Sequence, residues 1–279
     1  MKSLKNTQQI TRAMKMVAGA RIRRAELAMR AARPYSAAIG EMLAEVSRTA
    51  GGLDHPLLRE RAPKTPAVLL MTADKGLAGA FNANLARAAQ AVAAQGGPQT
   101  VLYCVGTKGA TMLRRSAYRA AATWPLGVGP FASAAREISA RISEDFAAGT
   151  VDSVTLVSSR FVSTIVQRPT TQRLLPLTAV ARDGADREPE KARSPFEFEP
   201  DARAVLTSLL PKYLEFTIFA ALLETQASEF AARLLAMSNA TDNAGKLIDE
   251  LTLVMNNTRQ ASITKEILEI VGGAEAQRA

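Results

Sequence analysis

From Leu206 to Ser262, residues recur three and four places apart in strict alternation. The series runs through Leu209, Tyr213, Phe216, Ala220, Leu223, Ala227, Phe230, Leu234, Met237, Thr241, Ala244, Ile248, Leu251, Met255 and Thr258, and no proline follows Pro211. This spacing is that of a coiled-coil seam. At 1.5 Å per residue, a helix from about Asp201 to about Val271 is roughly 105 Å long, several times the diameter of a small domain. Such a helix projects beyond the fold it belongs to.

The N-terminal segment keeps the same spacing through Ile10, Met14, Val17, Arg21, Arg24, Ala28, Ala31, Tyr35, Ala38 and Met42. It predicts a second long helix, roughly 70 Å if it starts near Leu4, ending before Gly51 and Gly52. Pro34 is expected to bend it, because proline removes a backbone donor and crowds the preceding turn. Arg21 and Arg24 are costly to bury against another helix. That stretch of the seam is therefore expected to open toward water or an acidic partner.

Between the helices the period changes. Ala67 to Thr72 and Thr100 to Val105 are short apolar runs of the kind that form strands covered on both faces. Each is followed by glycine and a helical pattern. Helices are predicted over Asn82 to Ala94 and Phe131 to Ala147, stopped by Gly96, Gly97 and Pro98 and by Gly149 respectively. Ser153 to Phe161 and Ser163 to Gln167 supply further strands, giving a small α/β domain with a partly parallel sheet. Ala181 to Pro200, rich in charge and proline, reads as an exposed loop. The division is 1–52 for the first helix, 53–200 for the α/β domain and 201–279 for the last helix. If the terminal helices pair they run antiparallel, and the longer one overshoots.

Composition narrows the function classes. The 279 residues are 47% hydrophobic, ample for a core. The sequence offers no apolar run of the about 18 residues that span a bilayer and no signal-peptide pattern, so a soluble, unexported protein is expected. His55 is the only histidine and Cys104 the only cysteine, which disfavours a histidine metal site, a histidine-dependent triad and any internal disulfide. Cys104 reads as a buried strand residue. The net charge is +9, and Met1 to Arg33 holds nine Lys or Arg against Glu26 alone, while Asp201 to Val271 holds six basic and nine acidic residues. A basic helix suits an acidic partner, nucleic acid included, but equally a solvated face. No aromatic side chain is interleaved for stacking on single strands.

Asp74 to Ala80 follows the first strand where α/β folds bind ligands, yet it lacks the G-x-x-x-x-G-K-[ST] of a Walker loop and the G-x-G-x-x-G of a dinucleotide fingerprint. Gly106 to Gly109 is similarly short. Asp242, Asp249 and Glu250 lack a metal-binding companion and read as a solvated helix face. Thr241, Thr258 and Ser262 interrupt the seam as register-fixing positions or as part of an unpaired overshoot. With Arg259, Gln260 and Thr264, Thr258 and Ser262 form a polar patch suited to another chain.

Five segments carry a family resemblance. Lys5 to Ala25 (KNTQQITRAMKMVAGARIRRA), Thr72 to Leu85 (TADKGLAGAFNANL), Val105 to Gly109 (VGTKG), Gln172 to Leu177 (QRLLPL) and Met237 to Ala274 (MSNATDNAGKLIDELTLVMNNTRQASITKEILEIVGGA) together resemble the gamma subunit of rotary ATP synthases. The resemblance covers nearly the whole chain and is most specific at the C-terminus. It implies an α/β fold in which a long antiparallel coiled coil of the N- and C-terminal helices carries an inserted Rossmann-like domain. It also implies a rotor shaft without catalytic residues, cofactor or metal, coupling ion flow to ATP synthesis or hydrolysis. The implied partners are three alpha and three beta subunits, an epsilon subunit and the membrane ring of c subunits, with no nucleic acid, at the cytoplasmic face of a bacterial inner membrane. Met14, Lys75, Arg259, Gln260 and Thr264 match positions that meet the beta subunits. Phe198, Glu199 and Asp201 match those near the membrane ring. A nucleic-acid-associated adaptor and a nucleotide-binding α/β enzyme are the alternatives.

Three departures accompany the resemblance. The chain starts late relative to family members that have extra helical turns before the KNTQ-like segment, which lengthens the expected overshoot. Ala78 stands where many relatives have cysteine, and Lys75 replaces an arginine, keeping charge but losing its planar fork. The paired-cysteine insertion of chloroplast relatives is missing, so thiol regulation is not expected.

Overall fold

The computed structural model describes residues 1–50, 54–114, 118, 120–177, 199 and 201–276. Two helices dominate it: α1 (Lys2–Ala50) and α5 (Ala202–Ala276), of 49 and 75 residues. At 1.5 Å per residue α5 is roughly 110 Å long. Pro34 lies inside an uninterrupted α1, as Pro211 does inside α5. The loop expected over Ala181 to Pro200, and Gly51 and Gly52, fall outside the described residues apart from Glu199.

The two helices pair antiparallel, as their contacts show. The Thr241 hydroxyl donates to that of Thr11 at 2.8 Å. Gly19 stands against Leu234, Arg21 lies over the Phe230 ring at 5.8 Å, and the Tyr35 and Phe216 rings are 4.5 Å apart. On α5 the buried stripe follows the expected seam through Leu206, Leu209, Leu223, Ala227, Phe230, Met237, Ala244 and Ile248. On α1 it does not. Thr11, Ala18, Ile22, Ala25, Met29, Ile39, Leu43 and Val46 are buried, whereas Ile10, Val17, Tyr35 and Met42 are exposed. The seam thus lies one place beyond the series through Ile10 and Val17. Arg21 and Arg24 escape burial because they stand beside it.

Between the helices, strands β1 (Pro66–Met71), β2 (Val101–Val105), β3 (Ala120–Trp124), β4 (Ser153–Phe161) and β5 (Gln167–Leu175) form one sheet, ordered β3-β2-β1-β4-β5. Only the β4–β5 pair is antiparallel. Helices α2 (Phe81–Gly96), α3 (Thr107–Leu113) and α4 (Ala132–Ala147) complete the domain. Two sequence expectations are corrected here. Ser163 to Gln167 is mostly the turn of a hairpin whose second strand continues to Leu175, and β3 is an additional parallel strand.

Strand alternation splits the core in two. Val68, Leu70, Leu102, Cys104 and Val157 face α2, while Leu69, Met71, Tyr103, Val105 and Leu156 face α4 and α5. Burial pushes the Cys104 thiol up to about 11, in keeping with a packing role. The second core also takes in Ile39, Leu43 and Val46 of α1 and Leu206 to Leu223 of α5, so both long helices are rooted in the sheet domain. By length and composition α5 contains a stretch apolar enough to cross a membrane, which the sequence reading did not find. Leu214, Ile218 and Leu222 are nevertheless buried, so this part of the helix is a core element.

Candidate functional site

The C-terminal edge of the parallel strands is organised by one carboxylate. Asp74 follows β1, and its Oδ1 accepts from the amides of Thr107 (3.0 Å) and Leu126 (3.2 Å), while Oδ2 accepts from Gly127 (2.9 Å). Three loops, after β1, β2 and β3, are thereby tied together. Asn82 extends the arrangement: its Oδ1 accepts from the Ala73 amide at 2.9 Å, and its Nδ2 donates to the Lys75 carbonyl at 3.4 Å. Behind them the Thr72 hydroxyl bridges to β2, donating to Val105 and accepting from Gly109. Gly106, at φ +90°, leaves no room for a Cβ against the Thr72 carbonyl.

The same edge leans on α5. Arg233 donates through Nη2 to the Gly76 carbonyl at 3.1 Å, and its Nη1 pairs with Glu229 at 2.5 Å. Both partners are buried. Burial pushes the Glu229 carboxyl above its ordinary range, opposed by the Arg233 guanidinium. Gln226 reaches the Gly127 carbonyl at 3.5 Å. Lys75 sits exposed between Asp74 and Gly76 on this docked loop. Met14 is half-buried on α1, between the Thr11 contact to Thr241 and the Gly19 contact to Leu234. The loop carrying Lys75 therefore meets α5 about five residues, roughly 7.5 Å, along the helix pair from the level of Met14.

The other expected contacts are far away. Arg259, Gln260 and Thr264 are exposed on α5, roughly 40 Å or more up the helix from the loop docked at Arg233, at 1.5 Å per residue. The hydroxyls of Thr258 and Thr264 donate to their own helix, to the carbonyls of Val254 and Gln260. Only their acceptor sites face outward. Around them Leu253, Val254, Met255, Ile263, Ile267, Leu268 and Ile270 are all exposed, an apolar load that the emphasis on polar residues missed. At the opposite end, Phe198 lies outside the described residues, and Glu199 is exposed. Asp201 caps α5, its Oδ1 accepting from the Ala204 amide at 2.9 Å.

The edge is poorly suited to a nucleotide. The amides of Thr107, Leu126 and Gly127, which could face a phosphate, are taken by the chain's own Asp74. An open groove of about 210 Å³ between α2, β5 and α5 has no charged residue in its lining. Among the described residues no three His, Cys, Asp or Glu side chains group as a metal site.

A family model described as ATP synthase matches residues 1–277. The ATP synthase gamma chain of Pelotomaculum thermopropionicum is 46% identical over 277 residues, covering 99% of this chain and 95% of that one. The chain belongs to the ATP synthase gamma-chain family. The gamma chain of Heliobacterium modesticaldum is 44% identical over 279 residues, covering 99% and 96%. Among solved structures, a chain of the Tetrahymena thermophila mitochondrial ATP synthase central stalk and c-ring matches at TM-score 0.65 and 25% identity, covering 83% of this chain and 99% of that one. A chain of the Euglena gracilis mitochondrial ATP synthase shares the fold at TM-score 0.67 and 21% identity, covering 99% and 91%. A gamma chain is a subunit of ATP synthase, so its partners are other subunits of that complex and its membrane association is peripheral.

Proposed function

We propose that the chain is the central rotor shaft of the catalytic head, a subunit that makes and breaks no bonds itself. Residues 1–52 and 201–279 form the shaft and 53–200 its foot. The shaft turns within three alpha and three beta subunits, and the foot, with an epsilon subunit, rests on the membrane ring of c subunits at the cytoplasmic face of a bacterial inner membrane. Met14, Lys75, Arg259, Gln260 and Thr264 meet the beta subunits; Phe198, Glu199 and Asp201 approach the ring.

The observation that carries this reading is the exposed apolar surface at the far end of α5. Among the described residues beyond Ile248, Leu253, Val254, Ile263, Ile267, Leu268 and Ile270 cover the helix with exposed apolar surface. A soluble helix with that surface needs partners of its own. A shaft tip surrounded by other subunits supplies them, and the cationic N-terminal helix suits acidic surfaces on the same partners. Rotation of one asymmetric body then biases nucleotide affinity at each beta site in turn, a coupling that is reciprocal.

The test is charge reversal in the assembled enzyme. Lys75→Glu together with Arg259→Glu should lower ATP-driven ion pumping severalfold while the thermal midpoint of the purified chain moves by no more than a few degrees. Undiminished pumping in the double substitution would remove the assignment.

A further inference from the structure

Resting on the reading of Lys75 as a contact to the catalytic subunits, we propose that Arg233 and Asp74 are positioning residues that fasten the Lys75 loop to α5. Lys75 then turns with the shaft as part of one body. The loop is held on both sides of the lysine. Before it, the Asp74 carboxylate binds three amides from two other loops. After it, the Gly76 carbonyl accepts from Arg233. The lysine's own carbonyl accepts from Asn82. Leu77 is a non-glycine residue at φ 63°, a conformation that persists where the surroundings determine it.

The chemistry of Arg233 suits this task. One guanidinium nitrogen holds the loop and another holds Glu229, so a single planar group braces loop and helix together. A lysine at the same place offers one ammonium and cannot span both partners in fixed geometry. The second connection runs from Asp74 through Gly127 to Gln226 of α5. A cation on a loosely tethered loop would meet an opposing surface only in a fraction of its conformations, and the contact would weaken by that fraction.

The test uses Arg233→Lys and Asp74→Asn in the assembled complex, with amide hydrogen exchange and the ratio of ions pumped to ATP hydrolysed as readouts. Arg233→Lys should accelerate exchange of the Phe81 and Asn84 amides, which donate to the loop carbonyls of Ala78 and Ala80, by about tenfold or more while β1 stays protected. Asp74→Asn, which keeps one carbonyl oxygen, should accelerate the Gly127 amide. Arg233→Lys should also lower the pumping ratio by about threefold or more, and cause no further loss when Lys75→Ala is already present. Unchanged loop exchange overturns the fastening. Losses that multiply in the double substitution overturn the action through Lys75. If Lys75→Ala alone leaves the ratio untouched, the reading of Lys75 as a contact fails, and accelerated exchange still upholds the fastening by itself.

Discussion

Glu224 shows how much a single side chain can be asked to do in the rooted part of the shaft. Its carboxylate accepts from the Phe161 amide at 3.0 Å, at the end of β4. Burial raises its pKa above the ordinary 4.5, against the pull of the Phe161 amide, Arg160 and Arg33. A carboxyl raised in the folded state keeps its proton longer there than in the unfolded chain. Its contribution to stability is complete below pH 4.5 and is lost as pH rises through the raised value. Glu224→Gln keeps an acceptor for Phe161 and removes the charge, so its thermal midpoint should exceed the wild type near neutral pH, with the gap closing in acid. A variant less stable at neutral pH would mean that the two arginines outweigh the burial. At this scale the sequence was legible only in part. Lys75 and Arg259 stand out as charges on a shaft, but Asp74 does its work through amides 33 to 53 residues away, and no local pattern announces such partners. Glu229 and Arg233 are a visible i,i+4 pair, yet only folding buries them and brings Gly76 to the arginine.

On α5 a stretch buried against α1 gives way to an exposed one, and substitutions should separate the two. Ile248 is 9% exposed at the last turns of the pair, whereas Ile263 is 47% exposed on the overhang. Ile248→Ala should cost the purified chain about 2–3 kcal/mol in urea unfolding. Ile263→Ala should cost under about 0.5 kcal/mol there, yet weaken binding to alpha and beta subunits in gel filtration. Equal destabilisation at both positions would contradict the division. The long period of α5 was readable because large side chains recur along its seam, from Leu206 and Leu209 through Leu223, Phe230 and Met237 to Ile248. On α1 the contact is made by Ala18, Ala25 and Gly19 among others, while Ile10, Met16, Val17 and Leu27 point outward. With apolar residues on both faces, the phase read from size alone falls one place short. Strand β5 escaped for a related reason: as an edge strand it is mostly polar, and its Pro169 argues against pairing until it is seen at the sheet's margin.

Taken whole, the molecule is a shaft rooted in its foot, since the core beneath the sheet includes both long helices. If α1 and α5 turn as a unit, tying them together should cost nothing. Thr11→Cys with Thr241→Cys places thiols where two hydroxyls now touch. Oxidation should form the disulfide, and ATP-driven pumping should stay within about twofold of the reduced enzyme. A loss of pumping restored by reductant would show that the helices must slide. The same antiparallel pairing has a consequence for how the chain is made. Thr11 and Thr241 are separated by 230 residues in sequence, so α1 emerges from the ribosome long before its companion exists. Contacts so distant make folding slow. Throughout that wait Ala18, Ile22, Ala25 and Met29 lack the cover they have in the finished fold, and like charge on the nine cations of the first 33 residues opposes the association of two such segments.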